Sequence, residues 1–203
     1  MKNISLSQEV KTIVRGMVSN AAKFKLEVLT TFLLFDSMMS QKQFSSLIAK
    51  YSSCNLEGII NLIENIYKNN PFGFNEKEVE TIEERDYFIS VLKDSDIDNP
   101  QNFIFSQWIA NVFFFAYILV ESDEEQELTL SHLTLALFNN LNDQMLSFFT
   151  DIGTNIEQLI SQVEYLSLLD SCIEDDSALV IPDSISGLSL IHISEPTRRR
   201  GIS

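Results

Sequence analysis

Asn55-Leu-Glu-Gly-Ile-Ile-Asn-Leu-Ile-Glu-Asn-Ile66 recurs one hundred positions later as Asn155-Ile-Glu-Gln-Leu-Ile-Ser-Gln-Val-Glu-Tyr-Leu166. Asn55 and Asn155 are suited to cap a helix, and Glu57 and Glu157 fall in its first turn, where a carboxylate meets the positive end of the helix dipole. Apolar residues at 56, 59, 60 and 63 match those at 156, 159, 160 and 163, the spacing of a helix that buries one face. At the same offset Val28-Leu-Thr-Thr-Phe-Leu-Leu-Phe lies on Leu128-Thr-Leu-Ser-His-Leu-Thr-Leu, so the duplication extends over several helices. An internal repeat of this kind decides the architecture: two copies of a helical unit.

A unit of roughly 65 residues buries too little surface to stand alone, so the two copies are expected to pack as one domain. Composition agrees with helices: 45% of the 203 residues are hydrophobic, with only 6 glycines and 4 prolines. The formal charge of −15 argues against nucleic acid, whose binders need clustered Lys and Arg to neutralise phosphates. Cys54 and Cys172 stand apart from each other and from any ligand-like histidine, which reads as two reduced thiols of a cytoplasmic protein. Met1 to Val10 lacks the apolar core of a signal peptide.

From Leu188 the chain reads Leu-Ser-Leu-Ile-His-Ile-Ser-Glu-Pro-Thr-Arg198, which resembles the conceptual translation of a transposon-based sequencing adapter. Residues 188–203 are therefore set aside from fold reasoning. Without Arg198, Arg199, Arg200 and Glu195 there remain 11 basic and 28 acidic residues, a charge of −17, and the one basic cluster is gone.

Along the chain, Ser7 caps a first helix that turns Val10, Ile13, Val14, Met17, Val18 and Ala21 inward. Thr30 or Thr31 caps a second, short apolar helix through Met39, and Gln43 to Tyr51 forms a third. The fourth starts at Asn55 and stops at Asn69-Asn-Pro71. Residues 71–102 have no counterpart in the repeat and carry an acidic amphipathic helix from Glu76 to Lys93. The second unit begins its four helices near Phe103, Thr129, Asp143 and Asn155 and runs to 169, and residues 170–187 begin a linker.

Phe103 to Val120 is eighteen residues without a charge, near the length of a membrane span. Ser106, Gln107 and Asn111 interrupt it and both flanks are acidic, so a helix covered by protein is the better account. With Ile109, Val112, Phe113 and Ala116 as its inward stripe, Trp108, Phe114, Tyr117 and Ile118 fall on the flanks or opposite side. Either Val79, Ile82, Tyr87 and Phe88 of the acidic helix cover them, or the face stays open as a groove for a protein partner. No P-loop, HExxH or GxSxG is present, and His132 after Thr129 reads as an end-of-helix capping residue. Nothing supports a catalytic or metal site or a cofactor in this chain.

Leu128-Thr-Leu-Ser-His-Leu-Thr-Leu-Ala-Leu137 resembles the Ile-x-x-Glu-His-Leu-Leu-Leu-Ala-Leu segment of the Clp N-terminal domain, the double repeat at the head of ClpA-, ClpB- and ClpC-type AAA+ unfoldases. Met145-Leu-Ser-Phe-Phe-Thr-Asp-Ile-Gly-Thr-Asn-Ile156 resembles that family's leucine-rich helix and its Gly-x-Asn turn, and Leu6-Ser-Gln-Glu-Val10 its opening. Ile181-Pro-Asp-Ser-Ile-Ser-Gly187 resembles the segment that leads into the first ATPase module. The resemblance departs at Thr31 and Phe32, which fall where the family's Glu and His would stand in the first repeat, and in the long segment 71–102. It implies an all-α fold of two four-helix Clp repeats related by a pseudo-twofold axis, with one extra helix between them. It also implies a recognition module for unfolded or tagged protein substrates and adaptor proteins. Ser7 would stand at the rim of the binding face, and ATP and Mg would belong to ATPase modules beyond Gly187, through which alone a peptidase would be engaged. The alternatives are an unrelated helical-repeat interaction module and a membrane-associated helical protein.

Overall fold

The computed structural model describes residues 4–69, 82–122 and 126–163. Val79, Cys172, the linker and the tail lie outside them, as do the unit boundaries expected near 70 and 169. The chain begins with a two-residue strand, β1 (Ser5–Leu6), and α1 (Gln8–Phe24). It continues through β2 (Val28–Leu29), α2 (Thr31–Met38), α3 (Lys42–Tyr51) and α4 (Leu56–Asn69). After α5 (Ile82–Asp94) and a 3-10 turn the order repeats as β3 (Ile104–Phe105), α6 (Gln107–Ser122), β4 (Glu127–Leu128), α7 (Leu130–Asn139) and α8 (Asp143–Asp151). Residues 156–163 form a last helix, α9.

Side-chain caps mark the matching helix starts. The Val10 N–H donates to Ser7 Oγ at 3.3 Å and the Ile109 N–H to Ser106 Oγ at 3.2 Å. Asn55 and Asn155 each accept, through Oδ1, from the backbone N–H three residues on, at 2.8 and 3.1 Å. Such caps satisfy donors that the first helical turn leaves without a partner. They also correct the constant offset of one hundred. Ser7 and Ser106, like Thr30 and Thr129, stand 99 apart; Gln41 and Asn142 stand 101 apart; Asn55 and Asn155 stand 100 apart. Insertions in the connections shift the register, so His132 is matched by Leu33, and Phe32 is matched by Ser131.

The sequence pattern showed no strands, and the structure has two parallel pairs of them. β1 pairs with β4, Ser5 opposite Glu127 and Leu6 opposite Leu128. β2 pairs with β3, Val28 opposite Ile104 and Leu29 opposite Phe105. Each pair takes one strand from each repeat, and the exchange is reciprocal, as a twofold relation requires. Both cap serines are held by it: the Ser7 N–H donates to Leu128 O at 3.0 Å and the Ser106 N–H to Leu29 O at 2.9 Å.

The α3–α4 and α8–α9 turns meet each other across the repeats. The Ser53 N–H donates to Gly153 O at 3.2 Å, the Asn155 N–H to Tyr51 O at 3.2 Å, and Ser52 Oγ lies 2.7 Å from Thr154 Oγ1. Gly153 takes φ 65°, and a Cβ there would come within 2.8 Å of the Ser53 side chain, so both conformation and space require glycine.

One core runs through both repeats. Phe32 and Phe35 of α2 meet Phe148 of α8 edge-on at centroid distances of 5.4 and 5.3 Å, and Phe44 of α3 meets Phe138 of α7 at 6.3 Å. Interlocking rings gain both burial and edge-to-face attraction. Beneath them the Asn142 side chain donates to Thr31 Oγ1 at 3.1 Å, a buried hydrogen bond between the repeats.

Candidate functional site

The α6 stripe expected to face inward does so: Ile109, Val112, Phe113 and Ala116 are each 0% exposed. What covers part of the rest is α5. Its Tyr87 lies 5.0 Å from Tyr117 and 6.3 Å from Phe114, ring centroid to centroid, and its Phe88 is wedged between Phe105 and Phe113 at 4.7 and 5.1 Å. The Gln107 side-chain amide donates to the Glu84 carboxylate and fixes the start of α5 against the start of α6. At the other end the Asp94 carboxylate accepts from the Leu6 N–H at 3.1 Å and meets Lys11 at 3.3 Å. Burial, with Tyr117 and Asp94 adding to it, raises the pKa of the Tyr87 hydroxyl and keeps it protonated. Ile82, expected to share in this cover, is 73% exposed.

The face proposed from periodicity is therefore divided. Tyr117 is buried beneath Tyr87, and Phe114 is half-buried beside it, which removes Tyr117 from any surface a partner could touch. Trp108 and Ile118 remain exposed, at 38% and 44%. They are ten residues apart, roughly 15 Å along the helix. Ser7 stands on the β1–β4 pair, whereas Trp108 follows the β2–β3 pair, and the Ser7 hydroxyl is engaged as a helix cap. Of the five residues, Phe114 and Tyr117 are in ring contact, their centroids 6.1 Å apart. No helix among the described residues is long and apolar enough to cross a membrane.

His132 serves the helix. Its Nδ1 accepts from the Thr129 N–H at 3.3 Å and lies 2.7 Å from Thr129 Oγ1, closing a capping box at the start of α7.

A concavity that the sequence reading did not anticipate lies elsewhere, between α3, α7 and α9. Gln43, Phe44 and Leu47 form one wall, Leu130, Ser131 and Thr134 another, and Val163 a third. The equivalent place in the other repeat, found from the offsets above, is bounded by Met145, Phe148, Thr31, Phe32, Phe35 and Ile63. There the three phenyl rings pack on one another, with Phe32 and Phe35 at 0% and Phe148 at 3% exposure. Leu47, Ser131 and Thr134 stand where Phe148, Phe32 and Phe35 would be.

A solved structure of known fold matches this arrangement. The chain superimposes on the crystal structure of the N-terminal domain of ClpD, a caseinolytic-protease-associated chaperone from Arabidopsis thaliana. The TM-score is 0.57 and the identity 13%, over 84% of this chain and 97% of that one. The fold is thus that of the Clp N-terminal domain: all-α, two four-helix repeats packed as one pseudo-twofold unit with an extra helix between them. No family model matches the chain. No curated protein matches it either.

Proposed function

We propose that this chain is the recognition head of an ATP-dependent Clp-type unfoldase in the cytoplasm, which receives protein substrates or adaptors and passes them to an ATPase ring. The supporting observation is the fold itself, matched over nearly the whole of a chaperone's N-terminal domain. The chain's own residues add that its exposed features suit contact with protein. Apolar side chains such as Trp108, Ile118, Ile60 and Leu146 reach solvent singly, and a crevice lined by both apolar and polar side chains lies between the repeats. ATP, Mg and any peptidase would be engaged by further modules of the parent protein, with this module supplying binding and no catalytic group.

Two measurements test the reading. The genomic sequence downstream of the codon for Gly187 is expected to encode GxxxxGK[ST] within about a hundred residues. The chain itself is expected to bind a permanently unfolded protein, such as reduced and carboxymethylated α-lactalbumin, in preference to its native form. A downstream sequence without a nucleotide-binding motif, together with no preference for the unfolded protein, would favour an unrelated helical interaction module.

A further inference from the structure

The contacts that join the repeats share one property. β1 pairs with β4 and β2 with β3, the turn at Ser53 meets the turn at Gly153, and the rings of Phe32 and Phe35 meet Phe148. The inserted helix α5 follows the same rule, since its Asp94 reaches back to the Leu6 N–H and to Lys11. In each case one partner is numbered below 70 and the other above 81, and the chain passes from one set to the other only through residues 70–81.

Nothing in such a joint distinguishes the chain's own second repeat from the second repeat of another copy. In an exchanged pair the first repeat of each copy sits on the second repeat of the other, so every contact is made twice and no surface that the closed chain buries is exposed. The two states then differ in the path of the connection and in the entropy of bringing two chains together. Twelve residues reach roughly 40 Å when extended, enough to run from one lobe to its neighbour. A connection of that length gives pairing within one chain an effective concentration on the order of 1 mM, the range in which a second copy competes. The charge of −15 is no bar, because each lobe carries the same charges as a closed chain and repulsion beyond about 10 Å is screened at ordinary ionic strength.

We propose that the joint also closes between two copies of this chain, giving a repeat-exchanged dimer of two lobes, each with the complete fold. The dimer is reached through an open state, because strand pairs, turn contacts and rings must all part before a repeat changes partner. For the same reason either form, once closed, reverts slowly. The inference is independent of the recognition reading.

The test uses the full chain, unfolded in urea and refolded by dilution to about 10 μM, well below the effective concentration, and to about 1 mM, equal to it. Size exclusion with light scattering is expected to show a monomer from the dilute sample and a second species of twice the mass from the concentrated one. The amide signals of Leu6, Leu29, Ser53 and Leu128 in that species are expected to overlay those of the monomer, since the joint is the same. Full-length Phe32→Asp and Phe148→Asp each place a carboxylate among the buried rings and are expected to show no cooperative melt alone. Refolded together at the higher concentration they are expected to recover one, with about half the helical signal of the parent, because an exchanged pair has one lobe with both substitutions and one with neither. If either variant folds alone, the mass and the overlay decide. A monomer at both concentrations would overturn the proposal. So would a dimer with shifts at an outer face such as Trp108 and Ile118, or a mixture of two unfolded variants that stays unfolded.

Discussion

Asp36 sits near the end of α2 with Asn20 of α1 donating to its Oδ2 at 2.9 Å. Burial raises its carboxyl above the ordinary 3.8, against the opposing pull of Tyr67, Lys23 and Asn20. The Tyr67 hydroxyl lies near enough to act on this charge but has no hydrogen-bond partner of normal geometry, and burial raises its own pKa as well. A carboxyl whose pKa is raised by folding holds its proton more tightly in the native state. Its favourable contribution is complete below 3.8 and is lost as pH rises through the folded value, above which the buried anion weakens the fold. Asp36→Asn keeps the acceptor for Asn20 and removes the charge. Its melting temperature is expected to exceed that of the parent at pH 7, the difference shrinking towards zero as the pH approaches 4. A lower melting temperature at pH 7 would mean that Lys23 and Tyr67 outweigh burial. No pattern in the sequence marks Asp36, because its environment is assembled from α1, α2 and α4, which are brought together by folding alone.

At the scale of elements, α6 separates the legible from the hidden. Its inward stripe follows from the 3.6-residue period and was readable. The fate of its other side depended on where α5 lands, which no periodicity encodes. Trp108 and Phe113 give the measurable contrast: Phe113→Ala removes a ring held at 0% exposure between α5 and the core, for an expected loss of about 3 to 5 kcal/mol in urea unfolding. Trp108→Ala is expected to cost less than about 1.5 kcal/mol, since much of that ring is already in water. Comparable losses for the two would mean that Trp108 is core. The four strands escaped notice for a related reason. Two residues cannot display an alternation, and their partners lie 122 and 76 positions away, so only the helices around them carried a signal. Register had the largest effect. At a constant offset of one hundred Phe32 falls on His132 and Phe35 on Leu135, which conceals the replacement of both rings by hydroxyl side chains. The caps Thr30 and Thr129 place them correctly.

For the whole molecule, the duplication announced two similar halves, and the structure shows that neither is complete. Every strand pair, the turn contacts at Ser53 and Gly153, and the Phe32–Phe148 and Phe44–Phe138 contacts join one repeat to the other. Residues 1–70 expressed alone would leave β1 and β2 without partners and expose the rings of α2 and α3. They are expected to show no cooperative melt by circular dichroism and poor amide dispersion. A cooperative transition from that fragment would show that the helices of one repeat suffice.

The reciprocal exchange of strands makes the molecule equivalent to a symmetric pair of identical subunits that have been fused end to end. In a true homodimer every substitution occurs twice, so opening one interior site would open its twin and double the loss of stability. Fusion removes that constraint. One twin carries the rings Phe32, Phe35 and Phe148 across the joint, while the other has Ser131, Thr134 and Leu47 at the matching places, a difference that costs a single rather than a double penalty. The same joint can therefore be built differently on the two sides of the axis, a freedom that two unlinked copies of one gene product could not reach.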